Sequence, residues 1–380
     1  MKESIVIRNF GPIRCVEISD IKPFIVFIGG SGSGKSTILK VLALFRWIYK
    51  MHNIRSYLKH ANVSQSLFNL DFRQYLKNNG FTNYLKSDTE IIYQRGNIKV
   101  VYKEKLMASQ LVSKEELSLE KVSFICDKRN LIPDILAERR PDKRPMSFFL
   151  WDTFEDFITS SKLINELNID YLGVKYLSKE TSLGTKHFIE GINKAGNYTI
   201  DLEDSSSGTQ MVVPLAVIVE YFSKYYDFNS AVNTMIWWYL SQGDNLKDFR
   251  TDLNIGDIRH RRVHIHIEEP ELSLDPESQL SLISFIVNRC LIEKHSDYDM
   301  TLMLTTHSPY IINYLNLLIR AYDTNTPVKG AKLSFDDMSV YQVADGEIID
   351  LKVQNKRLIY TDPLSDPINR IYDEYNLLPE

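Results

Sequence analysis

The chain has 380 residues, 44% of them hydrophobic and 25% charged, which is the composition of an ordinary globular protein. Its 45 basic and 49 acidic residues give a net charge of −4, which excludes an overall basic footprint but leaves a local basic patch open. Three widely spaced cysteines fit no metal-ligand pattern and indicate thiols of a reducing compartment. No signal-peptide pattern and no apolar run of about 20 residues is present, so we expect a cytoplasmic protein without a membrane contact.

The first predicted elements form a strand, a loop and a helix. Residues 5–10 alternate in polarity and are rich in β-branched side chains, so we predict a strand, which Gly11 and Pro12 end. Residues 24–28 are continuously apolar and predict a strand that is buried on both faces. A Gly/Ser run follows, and residues 36–49 have helical spacing.

The remaining pattern alternates strands with helices. Residues 115–126 remain ambiguous, and residues 229–262 have no assigned role. We predict, in chain order, a mostly helical stretch over 57–84, a hairpin of 91–94 with 98–102, a helix over 151–167, a hairpin over 186–202 turning at 194–197, a helix over 211–225, a strand over 263–267, a helix over 278–294, a strand over 300–305 and a small α/β tail. This order favours a mainly parallel α/β core with inserted antiparallel elements.

The Gly/Ser run has the pattern of a phosphate-binding loop. Residues 29–36 fit G-x-x-x-x-G-K-[ST], in which backbone N–H groups surround the phosphates of a nucleotide, the lysine reaches the β and γ oxygens, and the last hydroxyl ligates Mg²⁺. A flexible linker is the alternative, which the preceding strand and the following helix disfavour. The candidate nucleotide-binding residues are Gly30, Ser31, Gly32, Ser33, Gly34, Lys35, Ser36 and Thr37.

Two consecutive acids follow the predicted strand over 263–267. We expect Glu268 to hold Mg²⁺ and Glu269 to polarise the water that attacks the γ-phosphate. The first position is Glu where Asp is more usual, and the alternative is a strand that ends in solvated carboxylates. His264 and His266 lie on the same strand without a third partner at metal spacing, so we interpret them as structural.

Two weaker segments complete the candidate site. His307 ends the strand over 300–305, where its imidazole can contact the γ-phosphate or the attacking water. Ser206, Ser207 and Gly208 precede an apolar helix, whose N-terminus can bind an anion; a plain N-cap is the alternative.

In this chain order, these segments resemble an ABC-type ATPase head of the SMC/RecF/OLD branch. The resemblance implies that residues 29–36 are Walker A, that residues 206–208 with Gln210 are the signature, and that Glu268 and Glu269 are Walker B with its catalytic base. It also implies that His307 is the switch histidine and that Leu274 and Asp275 lie in the D-loop. The opening strand and the Glu-Glu-Pro-Glu block of residues 268–271 are most similar to OLD-type ATPases.

The resemblance also implies a division into domains. The fold class is α/β, a P-loop NTPase head of ABC type with a mixed sheet. We assign residues 1–50 and 200–350 to the head, 51–199 to an inserted lobe of helices and hairpins, 229–262 to a smaller insertion and 351–380 to a C-terminal tail. The stretch between Lys35 and Gly208 is too short for the coiled-coil arms of SMC proteins, and the position of the Q-loop glutamine stays open.

The resemblance implies an ATPase, with ATP and Mg²⁺ as cofactors, that forms an ATP-sandwiched homodimer or higher oligomer. Too few residues follow His307 to hold the Toprim nuclease domain of OLD nucleases, so we expect a separate effector such as a nuclease, in a bacterial anti-phage defence or toxin–antitoxin system. The alternative is a RecF-like DNA-repair ATPase that acts on DNA directly. The basic clusters over 138–144 and 259–262 either contact phosphates or are solvated loop charges.

Overall fold

A computed structural model describes most of the chain. The described residues are 2–63, 72–108, 111–137, 146–182, 184–192, 198–241, 249–251, 253–293, 295 and 297–378. Their strands are β1 (Glu3–Phe10), β2 (Ile13–Ile18), β3 (Phe24–Ile28), β4 (Leu85–Arg95), β5 (Ile98–Lys103), β6 (Lys105–Ala108), β7 (Ser118–Ile125), β8 (Glu166–Ile169), β9 (Val174–Thr181), β10 (Gly184–Gly191), β11 (Thr199–Asp201), β12 (His260–Glu268), β13 (Asp299–Thr306), β14 (Met338–Ala344), β15 (Glu347–Asp350), β16 (Lys352–Val353) and β17 (Leu358–Ile359). Their helices are α1 (Lys35–His60), α2 (Phe72–Asn78), α3 (Leu131–Leu136), α4 (Phe148–Ser161), α5 (Ser207–Lys224), α6 (Phe228–Ser241), α7 (Pro276–Val287), α8 (Pro309–Asp323) and α9 (Asp362–Leu377).

The central sheet, which we call the P-loop sheet, has the order β15-β14-β3-β13-β12-β7. Strands β14, β3, β13, β12 and β7 run parallel, and β15 pairs antiparallel with β14. Every residue of β3 is buried, as a strand covered on both faces requires. Because parallel strands end at the same edge, the loops after β3, β12, β13 and β7 meet there.

A second, antiparallel sheet has the order β2-β1-β4-β5-β6. Helix α1 lies between this sheet and the P-loop sheet. Its Arg46 side chain bonds Glu3 of β1 and lies 3.1 Å from His266 of β12, and its Phe45 ring contacts Tyr93 of β4. Contact with both sheets explains why α1 is buried nearly all round and lacks the single apolar stripe of a surface helix.

The structure confirms the α/β fold class with a mixed sheet and extends several predicted elements. The first helix continues to His60, about three turns beyond the predicted end. The helix predicted over 151–167 ends at Ser161, and β8 follows it. The first hairpin forms as predicted and joins β1 in the antiparallel sheet. In the second, β10 pairs with β11, and the turn at 194–197 lies outside the described residues.

The ambiguous segment over 115–126 contains β7, which pairs in parallel with β12. Strand β7 therefore belongs to the P-loop sheet, although it falls within the range 51–199 that we assigned to an inserted lobe. The other domain boundaries stay predictions. Among the described residues, no helix is both long enough and apolar enough to cross a membrane.

Candidate nucleotide-binding site

The phosphate-binding loop connects β3 to α1 at the carboxyl edge of the P-loop sheet. Gly29, Gly32 and Gly34 have φ of 155°, 77° and 108°. A Cβ at Gly34 would lie 2.5 Å from Ile13 Cδ1, and one at Gly29 would lie 2.3 Å from the carbonyl oxygen of Val343. The positive φ values favour glycine at all three positions, and the close approach to β14 at Gly29 and to β2 at Gly34 leaves no room for a side chain there.

The polar groups of this loop fit a phosphate ligand. Lys35 Nζ donates to the carbonyl oxygens of Gly29 and Gly30, each at 2.9 Å, and burial lowers the pKa of Lys35. The hydroxyl of Ser33 is buried without a hydrogen-bond partner among the described residues. Phosphate oxygens would satisfy this hydroxyl and give the lysine charge a better partner than two carbonyls.

Glu268 lies beside Ser36. The Glu268 side chain is 2% exposed, hydrogen-bonds the Ser36 hydroxyl and lies 2.8 Å from Lys40 Nζ through Oε1. Burial raises the pKa of Glu268, and the Lys40 ammonium opposes this rise. A carboxylate and a hydroxyl are oxygen donors that suit Mg²⁺, so these two residues fit the ion. Sequence reasoning missed Lys40, although its place one helical turn after Ser36 was a usable signal.

Glu269 and His307 also come together. His307 Nε2 lies 3.3 Å from Glu269 Oε1, and both side chains are partly exposed at the edge of the sheet. Glu271 fixes the histidine loop, since its Oε1 accepts from Thr306 Oγ1 and from the His307 N–H, each at 2.7 Å. Burial raises the pKa of Glu271.

The segment over 206–208 forms the beginning of α5 and is exposed at Ser206 and Ser207. Ser206 is the N-cap of this helix, because its hydroxyl accepts a hydrogen bond from Thr209 N at 3.3 Å. The plain N-cap, the alternative given for this segment in the sequence analysis, is therefore present at Ser206. Ser207 is exposed. A Cβ on Gly208 would lie 2.9 Å from the carbonyl oxygen of Ser273, in the segment predicted as the D-loop. The N-terminal end of α5, the candidate anion site, therefore lies at the surface at Ser207.

Two further residues at this edge were not identified from the sequence. Asp127 follows β7, and its N–H lies 3.5 Å from Glu268 Oε2. Arg129 is fully buried and donates to the carbonyl oxygens of Glu268 and Glu269, each at 2.8 Å. Both residues follow β7, and the sequence pattern did not identify β7 as a strand of the P-loop sheet. Without that assignment, neither residue could be placed beside Glu268.

The histidines of β12 are buried, as the structural interpretation predicts. His264 Nε2 lies 2.8 Å from Glu120, and His266 Nδ1 lies 3.3 Å from the carbonyl oxygen of Ser123. In the described part of the chain, no group of three or more His, Cys, Asp or Glu side chains is arranged to hold a metal ion.

The two basic clusters differ. The cluster over 138–144 lies outside the described residues. In the cluster over 259–262, Arg261 donates to the carbonyl oxygens of Ile255, Gly256 and Ile258, so this guanidinium holds its own loop.

No protein-family model matches the chain, and no curated protein matches it. Among solved structures it is similar to an SMC head bound to the C-winged helix domain of ScpA, with 11% identity, a TM-score of 0.40 and coverage of 93% of this chain and 98% of that chain. It is also similar to a dimeric ATP-binding cassette in a post-hydrolysis state bound to ADP and Pi, with 11% identity, a TM-score of 0.32 and 90% and 96% coverage. A dimeric bacterial ABC transporter cassette gives 12% identity, a TM-score of 0.30 and 90% and 96% coverage.

Proposed function

We propose that this protein is an ABC-type ATPase that hydrolyses ATP to ADP and phosphate. One observation carries the proposal: the edge of a single sheet holds the phosphate-binding loop, the Ser36–Glu268 pair and the Glu269–His307 pair. These three parts supply phosphate binding, the two oxygen donors for a magnesium ion, and a base beside the attacking water.

In the proposed reaction, the loop amides and Lys35 hold the β- and γ-phosphates. Mg²⁺, held by Ser36 and Glu268, would neutralise the charge that develops on the phosphate oxygens. Glu269 accepts a proton from the attacking water, and His307 fixes the orientation of the Glu269 carboxylate. The loop N–H groups and the Lys35 ammonium are held in place around the phosphates, and they stabilise the negative charge of the phosphoryl group during transfer.

A dimer completes the site. The phosphate-binding loop is open to solvent at Ser31 and Gly32. Ser207 is exposed at the N-terminal end of α5, where the first N–H groups of a helix have no partner within the helix. A second copy of the chain would cap the γ-phosphate with this helix end. Hydrolysis removes the charge that both copies bind, so ATP would control opening and closing of the dimer.

We propose further that this motion controls a separate effector protein, in a defence or toxin–antitoxin setting. Strands β14 and β15, which follow His307 in the chain, belong to the P-loop sheet. The RecF-like alternative receives less support, since Arg261 already donates to three backbone carbonyls in the basic cluster over 259–262.

ATP hydrolysis by the purified chain tests the proposal. We expect magnesium-dependent hydrolysis that Lys35→Ala abolishes through lost phosphate binding, and that Glu269→Gln lowers by roughly 100-fold or more because the base is lost. Light scattering should show the Glu269→Gln form as a dimer with ATP and as a smaller species without nucleotide.

The same assay, repeated with duplex DNA, separates the two candidate functions. Hydrolysis that is indifferent to DNA agrees with a gating subunit, whereas strong DNA stimulation that both substitutions abolish would favour the repair-type alternative. A chain that binds no nucleotide at all would contradict the ATPase proposal.

A further inference from the structure

Arg129 lies just beyond β7, and its side chain makes four hydrogen bonds to main-chain oxygens. Nη1 donates to the carbonyl oxygens of Cys126 at 3.0 Å and of Glu268 at 2.8 Å. Nη2 donates to that of Glu269 at 2.8 Å, and Nε to that of Met211 at 3.0 Å. A single side chain thus joins the end of β7, the end of β12 and the first turns of α5.

Burial of this charge is costly unless every donor is used. The side chain is 0% exposed, and burial lowers the pKa of Arg129, which the carboxylates of Glu271 and Asp127 oppose. A guanidinium carries five N–H donors in a rigid plane, which can span carbonyls from three different segments. A lysine ammonium keeps the charge but concentrates three donors at one point, so it cannot span the same set.

The peptide at Glu269 is held on both sides. Glu269 has a φ of 42°, in the left-handed region that L-residues rarely adopt. Its N–H donates to the carbonyl oxygen of Thr305 at 3.0 Å, and its own carbonyl accepts from Arg129. These two bonds maintain the unusual backbone that directs the carboxylate toward His307.

The fourth bond connects this peptide to α5. Met211 is four residues after Ser207, the first residue of the helix whose exposed end would contact the phosphate of the other copy. A displacement of α5 moves the Met211 carbonyl and therefore changes the bond to Arg129 Nε. Because the guanidinium is rigid, its bonds to the Glu268 and Glu269 carbonyls change with it.

We propose that Arg129 is a positioning residue that couples the position of α5 to the alignment of Glu269. Water activation then occurs when α5 is seated against a nucleotide and is suppressed when α5 is displaced. This inference rests on the proposed ATPase function and adds to it a route by which dimer closure reaches the base.

Arg129→Lys tests the coupling. We expect kcat for ATP to fall by roughly 10-fold to 100-fold, as a misplaced base would cause. Affinity for a fluorescent ATP analogue should stay within about two-fold of wild type, because Arg129 contacts no part of the phosphate-binding loop. In the Glu269→Gln background the same substitution should cause little further loss, since Arg129 acts through the carboxylate that is already absent.

Arg95→Lys is the matched control. Arg95 is also a buried arginine, 3% exposed, and it pairs at 2.8 Å from β4 of the antiparallel sheet with Glu120, near the beginning of β7. We expect this variant to lose stability and to keep its kcat. The coupling is overturned if Arg129→Lys turns over at the wild-type rate, loses ATP affinity in step with kcat, or adds its full loss to that of Glu269→Gln. A wild-type chain without ATP binding would instead overturn the ATPase proposal.

Discussion

His266 is a residue whose ionisation opposes folding. Its ring is fully buried and stacks on Phe124; Nδ1 lies near the carbonyl oxygen of Ser123, and Nε2 lies 3.1 Å from Arg46 Nη1. Neutral imidazole can donate at the first nitrogen and accept at the second, whereas imidazolium would place a second cation against Arg46. Burial, with Arg46 adding to it, lowers the pKa of His266 to about 3.

The sign of the resulting pH dependence follows from linkage. In the unfolded chain His266 has the ordinary histidine pKa of 6.5 and binds a proton as the pH falls below that value. In the folded chain it stays neutral until the pH approaches its lowered pKa of about 3. Stability therefore falls as pH is lowered through this range. Glu3 acts in the same direction at lower pH, since Arg46 holds its pKa at about 2 against an ordinary value of 4.5.

We predict that His266→Gln reduces the slope of unfolding free energy against pH between pH 6 and pH 5. The reduction should approach about 1.4 kcal/mol per pH unit, the effect of one proton. Urea unfolding at a series of pH values measures it, with the exposed His260→Gln as the control. An unchanged slope in His266→Gln would show that this residue does not carry the dependence.

At the scale of elements, the loop between β3 and α1 is constrained by its packing against β14. A Cβ on Gly29 would lie 2.3 Å from the carbonyl oxygen of Val343, whereas a Cβ on Gly30 would have no heavy atom within 4 Å. A side chain at Gly29 would therefore clash with β14, whereas one at Gly30 would not, although the two glycines are adjacent in the same sequence motif.

We predict that Gly29→Ala destabilises the fold by about 1–3 kcal/mol, because the new methyl group must displace backbone. Gly30→Ala should change the free energy of unfolding by less than about 0.5 kcal/mol. Thermal and urea unfolding of the two variants without nucleotide test the difference. Equal stability of both would mean that β14 does not constrain the loop.

These elements also show what the sequence could predict. The strand–loop–helix unit at residues 24–49 and the acids after β12 were predictable, because their patterns are local. Strand β7 was not, since its register is set by β12, more than a hundred residues away, and its own pattern is irregular. Arg129 was missed for a related reason, because the Glu268 carbonyl that it contacts is distant in sequence. Lys40 was missed although it lies one helical turn after Ser36, because its partner Glu268 is equally distant in sequence.

At the scale of the whole molecule, the proposed dimer would combine two parts of the chain, the phosphate-binding loop and the N-terminal end of α5. The phosphate-binding loop ends β3, while the exposed Ser207 begins α5, whose neighbouring Gly208 packs against Ser273. A dimer related by a two-fold axis would place the loop of one copy against the helix end of the other, twice. Each of the two sites would then be formed by residues of both copies. This arrangement can be tested without knowing the effector.

Mixing two inactive variants should restore ATP hydrolysis. Lys35→Ala removes the phosphate contact, and Ser207→Arg blocks the exposed helix end without disturbing buried groups. In a mixed dimer, the intact loop of the second variant meets the intact helix end of the first. Random pairing of equal amounts gives roughly a quarter of wild-type activity, because half of the dimers carry one intact site of two. A chain carrying both substitutions, mixed with Lys35→Ala, has no intact composite site and serves as the control. If the two single variants remain inactive together while the Ser207→Arg variant still binds ATP, the site is not shared between copies.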